Sequence, residues 1–288
     1  MRSMVHAYLH ILKPGITVSN TLSAAAGFLL AVSVMGRFDA LSFVGLLFGI
    51  AGVIGSACVA NNVLDRNIDA RMKRTKQREV VMGVISKRAA LLYSLLLGIA
   101  GFVLLAVCTN LLTVILGIVA YATYVLLYGW AKRTTSWSTL IGTLPGALPL
   151  VAGYTALTGR LDTAALVLFL MMTLWQMTHF YAIAMFRHEE YRAANLPIWS
   201  VKRGLVSTKR QLFIFVVLFV LSAPLLTLAG YAGLIYAVAM TAVGFSWVIQ
   251  GLRNYKGDAV VWARRMFFVS LVVLLAMLGL IALGGFLP

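Results

Sequence analysis

Residues 61–78 read NNVLDRNIDARMKRTKQR and set two aspartates and six basic residues behind a long apolar run, in a chain with eight acidic residues in all. If this stretch continues the preceding helix, Asn61, Asp65 and Asp69 stand at i, i+4 and i+8 and fall on one face. Such a stripe aims hard oxygen donors at one site. Arg71, Lys73, Arg74 and Arg78 behind it offer N–H donors and positive charge to phosphate oxygens. An anion that carries a hard divalent cation satisfies both halves, and a magnesium-bound diphosphate is such a guest. The alternative is a solvated loop in which Asp65 and Asp69 pair with Arg66, Lys73 or Arg74; helical spacing followed by a polybasic run weighs against it.

A second group, WQMTHFYAIAMFRHEEY, runs from Trp175 to Tyr191. On one helix His179, Ile183, Phe186 and Glu190 share a face, while Glu189 turns toward Met185 and Thr178. Only one of the two glutamates then needs to face a common site. His179 suits contact with a tetrapyrrole or a base near a reacting carbon, against the alternative of a histidine satisfied by a neighbouring helix. Tyr121, Tyr124 and Tyr128, followed by Lys132 and Arg133, form either a packing stripe or a ring-lined cavity that shields a carbocation. Pro145 and Pro149 in LIGTLPGALPLVAGY interrupt a helix, and an interrupted helix in a membrane tends to line a cavity. His6 and His10, ahead of Lys13 and Pro14, read as an interfacial amphipathic start rather than a metal pair. The chain has no Walker A, GxGxxG, HExxH or GxSxG pattern in a convincing context, which weighs against nucleotide-driven and hydrolytic mechanisms.

The elements that position these residues follow from composition. Of 288 residues 61% are hydrophobic and 11% charged, which excludes a water-soluble globular domain and points to a polytopic membrane protein. At about 20 apolar residues per span, nine spans are expected near residues 15–35, 41–63, 89–108, 111–130, 138–158, 162–186, 211–229, 231–250 and 266–286. Every basic residue except Arg37 and Arg160 then falls in the N-terminal tail, which holds Arg2 and Lys13, or in the even-numbered loops. The positive-inside rule places that side in the cytoplasm and the C-terminus across the membrane. The net charge of +16 is thus spread over short loops rather than gathered on a soluble face, so nucleic acid is not an expected partner. Cys58 and Cys108 lack metal or redox spacing and read as packing residues, and the N-terminus lacks the cleavage pattern of a removed signal peptide. The two longest loops, 64–88 and 187–210, lie four spans apart, which hints at two similar four-helix halves plus one extra helix. The expectation is one all-α domain over residues 1–288, with its chemistry in those two loops at the cytoplasmic face.

YLHILKPG, NNVLDRNIDARMKRTKQR, YGWAKRTTSWSTLIGTLPGALPLVAGY and WQMTHFYAIAMFRHEEYRAANLPIW together resemble the UbiA-type intramembrane prenyltransferases, and within them the haem-farnesylating branch, over nearly the whole chain. The resemblance implies nine helices around a central cavity in a bacterial inner membrane. It implies magnesium-dependent binding of farnesyl diphosphate and transfer of the farnesyl group to a vinyl group of haem B. Water addition would give haem O, for use by a terminal haem-copper oxidase. Carried onto this sequence, Asn61, Asp65 and Asp69 hold magnesium, and Arg71, Lys73, Arg74, Arg78, Lys132 and Arg133 bind the diphosphate. Trp175, His179 and Tyr181 meet the acceptor, and Glu189 and Glu190 are candidates for a second metal site. Two features depart from the superfamily pattern. Asn62 stands where an aspartate usually follows the asparagine, and the second motif carries His179, Glu189 and Glu190 in place of aspartates. A prenyltransferase acting on an aromatic quinone precursor and a non-catalytic haem carrier or transporter are the competing readings.

Overall fold

The computed structural model describes residues 4–288; Arg2, counted above with the N-terminal charge, lies outside them. Those residues form helices and connections with no β-strand. A short helix α1 (Met4–Ile11) precedes α2 (Pro14–Met35), α3 (Ala40–Leu64), a single turn α4 (Arg66–Asp69), α5 (Lys87–Cys108) and α6 (Leu111–Ala122). A π-helical turn (Thr123–Tyr128) joins α6 to α7 (Gly129–Thr134); then come α8 (Ser138–Thr158), α9 (Thr163–Phe186), α10 (His188–Ala193), α11 (Trp199–Ser222), α12 (Leu225–Leu228), α13 (Leu234–Leu252) and α14 (Ala259–Gly284). Among the described residues nine helical stretches are long and apolar enough to cross a membrane.

Local chemistry sets the helix ends. Pro14 supplies the preset φ of a first helical turn, and Gly36 closes α2 in the left-handed region at φ 64°. The side chains of Asp39, Ser86, Asn110, Asp162 and Asp258 each accept a hydrogen bond from a backbone N–H in the first turn of the helix that follows. Three of the chain's eight acidic residues are therefore caps. The other five, Asp65, Asp69, Glu79, Glu189 and Glu190, fall in the two long connections singled out above.

The first four spans pack in sequence order, the next four do likewise, and α14 closes the ring against α2. α2 and α8 cross at backbone contact: a Cβ at Gly27 would run into the carbonyl oxygen of Leu150, and one at Gly153 into that of Ala24. Two helices start earlier than apolar length suggests. α11 begins at Trp199 rather than near 211, and α14 at Ala259 rather than near 266. Apolar windows end at charges, whereas helical hydrogen bonding continues where the charged heads find partners: Lys209 lies over the Tyr255 and Trp262 rings, and Arg265 donates to Gln250 O. The expected loop 187–210 is correspondingly short, with α10 inside it and a break in α11 at Gly204 (φ 79°, ψ 168°).

Candidate active site

Asn61 lies in the last turn of α3 and Asp69 ends α4, and the helix does not run straight between them. Asp65 takes φ −88°, ψ 0° at the junction, yet its N–H still bonds to Asn61 O at 2.9 Å and that of Asp69 to Asp65 O at 2.8 Å. The four-residue register thus survives the break. All three side chains are buried, at 5%, 8% and 4% exposure, and all line one cavity of about 900 Å³. Burial of two carboxylates requires compensation. Lys132 Nζ ion-pairs with Asp65 Oδ2 and donates to Asn61 Oδ1 at 3.1 Å; Arg133 reaches Asp65 Oδ1 at 3.1 Å; Arg78 pairs with Asp69 Oδ2 at 2.5 Å. The hydroxyl of Thr75 donates to Asp69 O at 3.0 Å and Arg66 Nε to Val80 O at 3.0 Å, so the loop after α4 is folded against itself.

Of the basic residues expected here, Arg74, Arg78 and Lys132 line the cavity. Arg71 and Lys73 point outward and are exposed, and Arg133 touches the site through Asp65 from outside the wall. Lys13, placed by sequence only in an interfacial start, is a wall residue. It adopts the left-handed conformation at φ 54° just ahead of Pro14. Burial lowers its pKa to about 8, partly offset by the nearby charges of Asp65 and Asp69. Its ammonium has no direct hydrogen-bond or ion-pair partner among the described residues.

Glu79 was not anticipated. It is 7% exposed, lines the same wall and takes a 2.8 Å contact with His10 Nδ1, which ties α1 to the loop. Asn62 reinforces that tie by donating to Ile11 O at 2.9 Å, and its Oδ1 is buried without a partner among the described residues. The scarcity of acidic residues was the available signal for Glu79: once caps are set aside, a carboxylate right after the basic run stands out.

The tyrosine stripe faces inward. Tyr121, Tyr124 and Tyr128 all line the cavity, the rings of Tyr124 and Tyr128 stack at 5.9 Å, and Asn61 Nδ2 donates to the Tyr124 hydroxyl at 3.3 Å. The π-helical turn widens the spacing there and carries Lys132 back over the Tyr128 ring at 5.3 Å. Pro145 and Pro149 line the cavity as expected of an interrupted helix.

The opposite wall comes from α9. Trp175 and His179 stack at 4.9 Å, with Phe267 of α14 5.0 Å from the His179 ring. With the Ser270 hydroxyl donating to Phe267 O at 2.5 Å, its 2.7 Å contact with His179 Nδ1 is made in the tautomer that carries Nδ1–H. The Nε2 lone pair is left available. Tyr181, two residues on and thus on the far side of α9, is buried against Phe215 and does not reach the wall. Glu189 and Glu190 are also off the wall. Arg187 leaves the helical path at φ −105°, ψ 14°, so the single-helix alignment of His179 with Glu190 does not hold. Glu190 pairs with Arg187, and Glu189 lies near His188 and Arg192. Tyr191 does line the wall; burial raises its pKa, with Arg74, Arg78 and Arg187 opposing and Glu190 adding to the rise.

A cavity with a charged mouth and an aromatic interior, framed by membrane-spanning helices, defines an intramembrane enzyme for substrates with an ionic head and an apolar body. The chain belongs to the UbiA prenyltransferase family, whose model matches residues 21–285. A protoheme IX farnesyltransferase of Yersinia pseudotuberculosis is 43% identical over 273 residues, which is 94% of this chain and 92% of that protein. The one from Pectobacterium atrosepticum is 42% identical over 288 residues, 99% of this chain and 97% of the relative. The fold is also similar to that of a digeranylgeranylglyceryl phosphate synthase (TM-score 0.80, 18% identity, 98% of each chain). It is likewise similar to that of a UbiA homolog from Archaeoglobus fulgidus bound to GPP and Mg2+ (TM-score 0.74, 16% identity, 96% of this chain and 99% of that one).

Proposed function

We propose that this protein transfers the farnesyl group of farnesyl diphosphate to a vinyl group of haem B, with addition of water, to give haem O and diphosphate. One observation carries the reading. A single cavity joins buried, cation-paired carboxylates at one end to a flat aromatic wall with an available imidazole nitrogen at the other. Relatives at 42–43% identity named protoheme IX farnesyltransferase supply the acceptor and the donor.

Among the described residues no three His, Cys, Asp or Glu side chains converge as a closed metal site. Asp65, Asp69 and Asn61 are an all-oxygen set that suits magnesium with its shell completed by phosphate oxygens. Magnesium, when bound, neutralises charge on the diphosphate. The protein's own groups then do the rest. Lys132 and Arg78, which pair with those carboxylates at the cavity wall, would supply donors to the diphosphate oxygens. Among the described residues Lys13 and Arg74 have no carboxylate partner. Negative charge grows on the leaving oxygen as the C1–O bond of the farnesyl group breaks, so these cations stabilise the transition state more than the ground state. The faces of Tyr121, Tyr124 and Tyr128 shield the allylic cation. The vinyl π pair forms the new bond to C1, water adds at the resulting ring-adjacent cation, and one proton is released. His179 contacts the acceptor through Nε2, with Trp175 stacked beside it. Residues 1–288 act as one domain, with the mouth on the cytoplasmic side of a bacterial inner membrane.

The test is incubation of the protein in membranes with farnesyl diphosphate, magnesium and haem B, followed by mass analysis of extracted haems. Haem O is the expected product. Prenylation of a hydroxybenzoate in place of haem B would overturn the acceptor.

A further inference from the structure

Arg187 stands at the cavity mouth with a charge the diphosphate chemistry above does not use. It lies over the Phe186 ring at 5.2 Å, and its ion pair is a single contact from Nη1 to Glu190 Oε1 at 2.5 Å. The other oxygen of Glu190, Oε2, is buried without a hydrogen-bond partner among the described residues, and the Arg187 side chain is 38% exposed. Guanidinium and carboxylate bind most strongly as a two-point fork. This pair uses one point, so the guanidinium keeps donors for a second partner.

The placement says what that partner is. Trp175, His179, Ile183 and Arg187 recur every fourth residue and all line the cavity. They form a stripe along α9 that runs from aromatic through imidazole and aliphatic to cation. From His179 to Arg187 is eight residues, about 12 Å along the axis at 1.5 Å per residue. A flat apolar body centred on Trp175 and His179 would therefore bring an acidic edge to Arg187 at the wet mouth, where a carboxylate keeps its solvation. Tyr191 lies within the fields of both Arg187 and the Arg74–Arg78 pair, so the two anionic ends would sit side by side at one mouth.

We infer that Arg187 determines acceptor specificity by taking a carboxylate at the edge of the acceptor in exchange for Glu190. The inference rests on haem B as the acceptor, whose two propionates lie on one edge of the ring.

The experiment uses the full chain in lipid nanodiscs with farnesyl diphosphate and either haem B or its dimethyl ester. Loss of a charge-assisted contact should raise the KM for haem B about tenfold in Arg187→Gln. The KM for the ester and that for farnesyl diphosphate should stay where they were. Glu190→Gln releases the guanidinium and should lower the KM for haem B, a change of opposite sign that misfolding does not produce. Equal shifts for haem B and ester in Arg187→Gln would overturn the inference, as would a rise confined to the KM for farnesyl diphosphate. If the unmodified protein binds farnesyl diphosphate but converts neither haem, the acceptor reading fails and this inference falls with it.

Discussion

Asp65 is held by two cations while Asp69 is held by one, and both are buried at the cavity wall. In the proposed reaction these two carboxylates would hold magnesium on the diphosphate. Asp65→Asn keeps the shape and removes the charge. It should lower turnover by about 10² to 10³, the scale of losing one electrostatic stabiliser, with helical content unchanged by circular dichroism. Lys13 carries a pH signature. Its pKa, lowered by burial to about 8, means that the ammonium is present below that pH and lost above it. The KM for farnesyl diphosphate should therefore rise as pH climbs through 8. Lys13→Arg, charged throughout, should remove that rise; a rise that persists in the variant would assign it to another group. The acidic stripe was legible from spacing because a four-residue register is local. Lys13 was not, because its direction depends on one left-handed residue ahead of Pro14. Arg71 and Lys73 were over-read for a related reason: charge in a loop gives no direction until the loop folds.

At the scale of helices, small residues let α2 and α8 meet backbone to backbone, and α8 carries the proline-interrupted wall. Gly153→Val should overpack this contact and cost about 1–3 kcal/mol or more. The expected readout is lower yield of folded protein and a lower Tm in detergent. Gly279→Ala on α14, where a methyl group meets nothing within contact distance, should leave both unchanged. Equal behaviour of the two variants would show that the crossing is looser than described. Span positions were readable from hydropathy, since each needs a fixed apolar length. The starts of α11 and α14 were not, because a helix continues past the apolar boundary wherever its charged stems can lie along it. The break at Arg187 also escaped the pattern, and with it went the expected second carboxylate site. An ideal wheel assumes one axis, and α9 and α10 have two.

For the molecule as a whole, the distribution of basic residues predicts which side each loop faces. Lys73→Cys should react with an impermeant thiol reagent from the cytoplasmic side alone, and Arg160→Cys from the opposite side alone. Reversed labelling would place the mouth on the other face and exclude access by a cytoplasmic diphosphate. Fold class, number of spans and the oxygen-rich stripe were determined by sequence alone, because each rests on local length or local periodicity. Tertiary structure decided which cations reach the carboxylates, that Glu79 and Lys13 belong to the wall, that Tyr181 and Glu189 do not, and that Ser270 meets His179 Nδ1. Those facts depend on contacts between residues far apart in the chain, and no local pattern encodes the direction a side chain takes once the helices close around one cavity.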